Sequence, residues 1–140
     1  MINHRYYLDT NILVYTLSNK DEIDSHVVNI LTDSSNLIYT SSVAIKELIL
    51  LFRIGKFHSR IYKSEEAILA DIERLNIQIV FFNRHHFSTY ASLQIADGHK
   101  DMNDHAIIAQ AISDKISVIS SDTKFKYYMP QGLQFVYNRR

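Results

Sequence analysis

The chain has no cysteine, which excludes disulfides and thiolate metal ligands together. It has one proline and three glycines in 140 residues, so no Pro/Gly-rich linker and no low-complexity stretch divides it. No apolar run approaches the roughly 18 residues that a membrane span requires. The opening residues Met1-Ile2-Asn3-His4-Arg5 run into a strand candidate and lack the pattern of a secretory leader. Net charge is missing too. Fifteen basic residues balance 15 acidic ones, which argues against a sequence-indifferent DNA binder held by phosphate contacts alone. These absences give the expectation of a single cytoplasmic domain over residues 1–140, with no membrane partner.

What is present is a chain with 46% hydrophobic residues, enough to build a core at this length. Apolar periodicity and turn signals predict strands near 5–8, 37–40, 77–81, 116–120 and 133–137. Helices are predicted near 11–17, 21–31, 42–54, 65–76, 84–96 and 103–114. Gly55 ends the third of them, and Ser41 or Ser42 caps its start. Strands alternating with helices imply a three-layer α/β/α sandwich around a central parallel sheet of four to five strands. Such sheets bind ligands beyond the carboxyl ends of their strands.

Four acids fall where this fold would gather them. Asp9 ends the first strand. Glu47 shares a helical face with Val43, Ala44, Leu51 and Ile54. Asp104 opens a helix and leads the stripe Ile107, Ile108, Ala111, Ile112, with Asn103 as the expected N-cap and Asp101 as a second capping or orienting acid. Asp122 follows the strand at 116–120. Taken singly, each has a bland reading: Asp9 and Asp122 as turn or cap residues, Glu47 as an edge carboxylate, Asp104 as a helix-dipole partner. Taken together, clustered carboxylates repel and resist burial unless a cation neutralises them. Oxygen donors of this kind suit Mg²⁺ or Mn²⁺. Asn11, Ser120 and Thr123 stand where they could orient these acids.

The remaining features are less specific. Residues 49–64 carry Arg53, Lys56, Arg60 and Lys63 with no acid, interleaved with Phe52, Phe57, His58 and Tyr62. That mix suits phosphate contact with base stacking, docking of an acidic protein segment, or a solvated hairpin with aromatic core anchors. The seven histidines form no His-x₃-His pair on one helical face, so zinc is not indicated. His85, His86 and His99 read as surface or capping residues, and His105, beside Asp104, as the one able to touch substrate.

In this order, Asp9-Thr10-Asn11, the helical Glu47, Asp104-His105-Ala106-Ile107-Ile108-Ala109-Gln110-Ala111 and Ser120-Ser121-Asp122-Thr123-Lys124-Phe125 resemble the four motifs of PIN-domain nucleases. The set spans almost the whole chain, and its length resembles the VapC-type toxins of bacterial toxin–antitoxin pairs. Three positions depart from the pattern: Ser120 where Thr is commoner, His105 where Ala is commoner, and Lys124 where some members place a further acid. The resemblance implies a metal-dependent endoribonuclease with Asp9, Glu47, Asp104 and Asp122 as catalytic and metal-binding residues. It implies one or two Mg²⁺ or Mn²⁺ ions, an RNA substrate, a cognate antitoxin and a homodimer. Arg53, Lys56, Arg60, Lys63 and His105 are the expected RNA or antitoxin contacts. Two rivals are a PIN fold that binds RNA or protein without cutting it, and a haloacid-dehalogenase-type phosphotransferase with Asp9 as nucleophile. The second wants an acid at position 11, where this chain has Asn11.

Overall fold

The structure is a computed structural model that describes residues 4–57 and 61–140. Its strands are β1 (Arg5–Leu8), β2 (Leu37–Ser41), β3 (Ile77–Val80), β4 (Ser117–Ser120) and β5 (Phe135–Tyr137). Its helices are α1 (Thr10–Ser18), α2 (Ser25–Thr32), α3 (Ser42–Arg53), α4 (Glu65–Arg74), α5 (Arg84–Ser92) and α6 (Met102–Asp114). The five strands form one parallel sheet in the order β3-β2-β1-β4-β5. The chain steps outward from β1 to β2 and β3, then returns to the other side of β1. Strand order therefore reverses between β1 and β4, where crevices open in sheets of this kind.

Side chains alternate across the sheet and feed two cores. Leu8 and Ile119 pack on one face with Ile12, Leu13, Val27, Ile68 and Ile72 from α1, α2 and α4. Tyr7 and Val118 pack on the other with Ile107, Ile108 and Ala111 from α6. The helix α3 serves both, with Ala44 in the second core and Ile45 and Leu48 in the first. This is the α/β/α sandwich expected.

Several boundaries differ from those predicted. The helix expected over 21–31 is a short 3₁₀ turn, Lys20–Glu22, followed by α2, because Asp24 caps the N–H of Val27 and restarts the chain. The helix expected to reach residue 96 stops at Ser92, with Leu93 already extended. The N-cap of α6 is Asp101, whose Oδ1 accepts from the N–H groups of Asn103 and Asp104, and Asn103 lies inside the helix. A 3₁₀ helix over Thr123–Gln131 was not expected. It carries Pro130 and anchors itself through buried Phe125 and Tyr128.

One polar chain crosses the second core. Ser41 Oγ donates to Gln110 Oε1 at 2.5 Å, and Gln110 Nε2 donates to the Val80 carbonyl at 3.0 Å and to Tyr7 Oη at 3.2 Å. The Tyr7 hydroxyl donates to Asp114 Oδ2 at 2.5 Å. His86 completes the set. Its Nδ1 accepts from the Asn83 N–H, so its proton sits on Nε2, which donates to Asp114 at 2.9 Å. Burial and the Asp114 carboxylate together push the Tyr7 hydroxyl well above its ordinary range, so it stays a donor. Gln110 is wholly buried, and its loss would strand partners in β1, β2 and β3. Gln110→Leu is expected to cost about 3 kcal/mol, or a fall in Tm on the order of 10 °C, in thermal unfolding. A fall of less than about 2 °C would show that the chain does not hold the layers together.

Candidate metal centre

The ends of β1 and β4 meet at the reversal point. The Asp9 N–H donates to the Ile119 carbonyl at 3.0 Å, so β1 and β4 stay paired up to the acid itself. Asp9 is 2% exposed. Its Oδ1 accepts from the Thr10 N–H at 2.8 Å, which starts α1, and its Oδ2 accepts from Ser120 Oγ at 2.7 Å. Ser120 in turn accepts from the Asp122 N–H at 3.0 Å. One serine hydroxyl thus ties the acid after β1 to the acid after β4. The Asp122 carboxylate caps the 3₁₀ helix through the Lys124 N–H at 2.9 Å.

Asp104 lies in the first turn of α6 and is partly buried. Glu47, half-buried on α3, adds its charge to both Asp9 and Asp104. The electrostatics record the convergence. Burial pushes the Asp9 carboxyl up to about 8, with the Asp104 and Glu47 charges adding to it and the Ser120 and Thr10 hydrogen bonds opposing. Burial likewise pushes Asp104 up to about 8, helped by Asp101, Asp122 and Glu47 and opposed by Lys124. The Asp104 charge acts on Asp9, so the protonation of one acid bears on the other.

The donor set fits a hard divalent cation. Carboxylates that protein alone cannot keep charged are the ones a cation stabilises. Thr10 Oγ1, beside Asp9, and Thr40 Oγ1, on β2, are buried without a hydrogen-bond partner among the described residues. Donor atoms of His99, Asp104 and Asp122 lie within 4.8 Å of one another.

His99 is the residue that sequence reasoning missed. It is 2% exposed, with Nε2 3.0 Å from Asp104 Oδ2 and Nδ1 2.7 Å from Tyr128 Oη. Its place in a Gly-containing stretch between helices reads as surface loop, and no local periodicity marks it as inward. Tyr128 carried no signal either. His105 is a correction. It is buried, its Nε2 donates to the His99 carbonyl at 2.8 Å, and its ring meets the His99 ring edge-on at 4.7 Å. It braces the loop and is not placed to touch RNA. His86, also expected at the surface, is wholly buried under α6.

Other expected residues are exposed or engaged elsewhere. Asn11 is exposed on α1 and Thr123 is exposed at the start of the 3₁₀ helix, whereas Ser120 contacts Asp9 directly. Asp101 serves as the α6 cap. Ile54, expected on the Glu47 face, is 55% exposed beyond the end of α3. Arg53, Lys56 and Lys63 are exposed, and Arg53 lies 3.7 Å from Glu65. Arg60 and His58 lie outside the described residues. Phe57 and Tyr62 are core residues, packed edge-on at 5.9 Å, with the Tyr62 hydroxyl bonded to Asp71. They cannot stack on bases from there.

Comparison with known proteins agrees with this fold. Among curated proteins none matches the chain. Among solved structures the chain is similar to VapBC2 from Rickettsia felis bound to a DNA fragment from their promoter, with a TM-score of 0.67 and 23% identity over 96% of this chain and 98% of that one. It is similar to DNA-bound VapBC from Salmonella typhimurium, with a TM-score of 0.65 and 17% identity over 96% and 98%. It is also similar to FitAcB from Neisseria gonorrhoeae, with a TM-score of 0.60 and 19% identity over 95% and 96%. At these identities the likeness is one of fold. The sequence profile of the PIN domain matches residues 6–128, from within β1 to Tyr128, and with that span the chain belongs to the PIN-domain family.

Proposed function

We propose that this protein is a divalent-metal-dependent endoribonuclease and the toxin of a toxin–antitoxin pair. The observation that carries the reading is the convergence of Asp9, Glu47, Asp104 and Asp122 at the reversal point of the sheet, with Asp9 and Asp104 both pushed up to about 8. A binding module without catalysis has no need to gather mutually repelling acids at one place in the fold. A phosphotransferase with Asp9 as nucleophile is disfavoured, because that chemistry wants an acid at position 11, where this chain has an exposed Asn11.

In the proposed reaction Asp9, Glu47, Asp104 and Asp122 hold one or two Mg²⁺ or Mn²⁺ ions. When bound, such an ion neutralises phosphate charge and acidifies water at neutral pH. The chain's own contribution is position. Ser120 fixes Asp9 while leaving lone pairs on both oxygens. The N-terminal turn of α6 sets Asp104. Lys124, whose charge reaches Asp104, offers a cation at the rim for a substrate phosphate. Further out, exposed Arg53, Lys56 and Lys63 extend the phosphate track or meet an acidic antitoxin segment. An exposed pair such as Arg53–Glu65 is weak enough to yield to either.

The likeness to VapBC and FitAB-type complexes supports a protein partner. Exposed Phe81, Phe87 and Met102, 73%, 60% and 71% accessible, supply apolar surface for self-association as a homodimer. No helix among the described residues is long and apolar enough to cross a membrane.

Asp104→Asn should abolish Mn²⁺-supported RNA cleavage, as EDTA should in the wild type, while the metal-free Tm stays level at neutral pH, because Asn replaces a carboxyl that is already largely protonated there. Wild-type cutting by the variant would remove Asp104 from the site. The pH dependence has a definite sign. Asp9 and Asp104 titrate at about 8 in the fold against an ordinary 3.8, so the metal-free fold holds protons that the unfolded chain has lost. Metal-free stability should therefore fall as pH rises from about 4 through about 8. Mn²⁺ must displace those protons, so calorimetric affinity should climb from pH 6 to 8 and level off above. Affinity unchanged across that window would show that the acids are not protonated without metal.

A further inference from the structure

His99 sits between two partners, and hydrogen-bond accounting decides which way its ring is protonated. Tyr128 is wholly buried, and its hydroxyl oxygen accepts the Ala96 N–H at 3.1 Å. The phenol proton then needs an acceptor, and among the described residues the one in reach is His99 Nδ1 at 2.7 Å. With Nδ1 accepting, the ring proton lies on Nε2, 3.0 Å from Asp104 Oδ2. The ring cannot easily turn away. His105 packs against it edge-on at 4.7 Å and holds the His99 carbonyl, while the His99 N–H donates to the Ala96 carbonyl at 3.1 Å.

We propose that Tyr128 and His99 form a one-way hydrogen-bond relay that positions Asp104 for the cation, His99 donating through Nε2 without ligating the ion. The proposal rests on the nuclease reading only in taking Asp104 as a metal-binding residue. The relay engages Oδ2 of Asp104 and leaves Oδ1 for the ion, so the carboxylate cannot rotate freely. The competing arrangement makes His99 a ligand. A separation of 3.0 Å also suits two neighbouring ligands on an octahedral ion with bonds of about 2.1 Å. That arrangement requires a bare Nε2 and a proton on Nδ1. The proton would face a phenol oxygen that already accepts from Ala96, and the buried phenol proton would lose its acceptor. The ligand arrangement also predicts a preference for Mn²⁺ over Mg²⁺, because imidazole nitrogen suits the transition ion. The relay predicts no such preference from His99.

The test uses the full chain labelled with ¹⁵N-histidine. Long-range ¹H–¹⁵N correlation of the metal-free protein should show His99 protonated on Nε2. Protonation on Nδ1 overturns the relay. Pulsed EPR of the Mn²⁺-loaded protein should show no coupling from a directly bound imidazole nitrogen, and finding one also overturns it. Tyr128→Phe keeps the ring and removes only the hydroxyl. It and His99→Leu should each weaken Mn²⁺ binding about tenfold, while His99→Gln, which retains an N–H donor, recovers part of the loss. Wild-type Mn²⁺ affinity in Tyr128→Phe and His99→Leu overturns the relay and leaves the nuclease reading standing. A wild-type protein that binds no Mn²⁺, with His99 protonated on Nε2, overturns the nuclease reading and with it the positioning role.

Discussion

Repulsion among buried carboxylates is the constraint around which this molecule is arranged. Asp9 and Asp104 are driven up together because burial strips their hydration and neighbouring acids add like charge. A fold that only needed stability would not place them there. Holding them requires backbone that cannot relax outward, and the sheet provides it. The pairing of β1 with β4 continues to the Asp9 N–H, and the Ser120 hydroxyl bridges from Asp9 to the turn after β4. The hydrogen bonds from Ser120 and Thr10 lower the Asp9 pKa, but not enough to offset burial. Without a cation the two acids keep protons at neutral pH, so in the proposed reading metal affinity and the loss of metal-free stability at higher pH are two sides of one arrangement.

Helix α6 carries this arrangement because it is tied at both ends. At its start, Asp101 caps the first turn and His99 meets Asp104. At its end, Asp114 takes bonds from His86 and Tyr7. Between them Gln110 reaches the end of β2 and the carbonyl of Val80. Thirteen residues of helix span about 20 Å, and a rod pinned at both tips and its middle moves as a unit. Asp104 therefore inherits its position from contacts far from the acids.

What could be read in the sequence follows from which forces are local. The places of Asp9, Asp104 and Asp122 in the fold were legible because a strand end or a first helical turn is written in neighbouring residues. Glu47 was legible because helical spacing aligns it with Val43, Ala44 and Leu51. The strand and helix alternation specified a parallel sheet for the same reason. His99 and Tyr128 are 29 residues apart in the chain, Ser41 and Gln110 are 69 apart, and Tyr7 and Asp114 are 107 apart. No periodicity connects such partners, so polar residues that are buried by tertiary contact looked like surface. The 3₁₀ helix over Thr123–Gln131 escaped for a related reason: it holds through Phe125 and Tyr128 in the core more than through its own backbone pattern.

The histidines show how far a composition argument reaches. The spacing holds no His-x₃-His pair, yet the inference that the histidines are mostly surface residues did not follow from it. His86, His99 and His105 are all buried, and each has a ring nitrogen bonded to a partner fixed by the fold. Imidazole can donate from one nitrogen and accept at the other, so it can link two buried groups without carrying charge. Burial holds His99 below its ordinary pKa, which favours the neutral ring this use requires. In a pocket already crowded with carboxylates, a neutral donor restrains Asp104 without supplying a competing cation. A lysine there would neutralise the acids itself and weaken the case for a metal. A histidine orients Asp104 and leaves the negative charge for the ion.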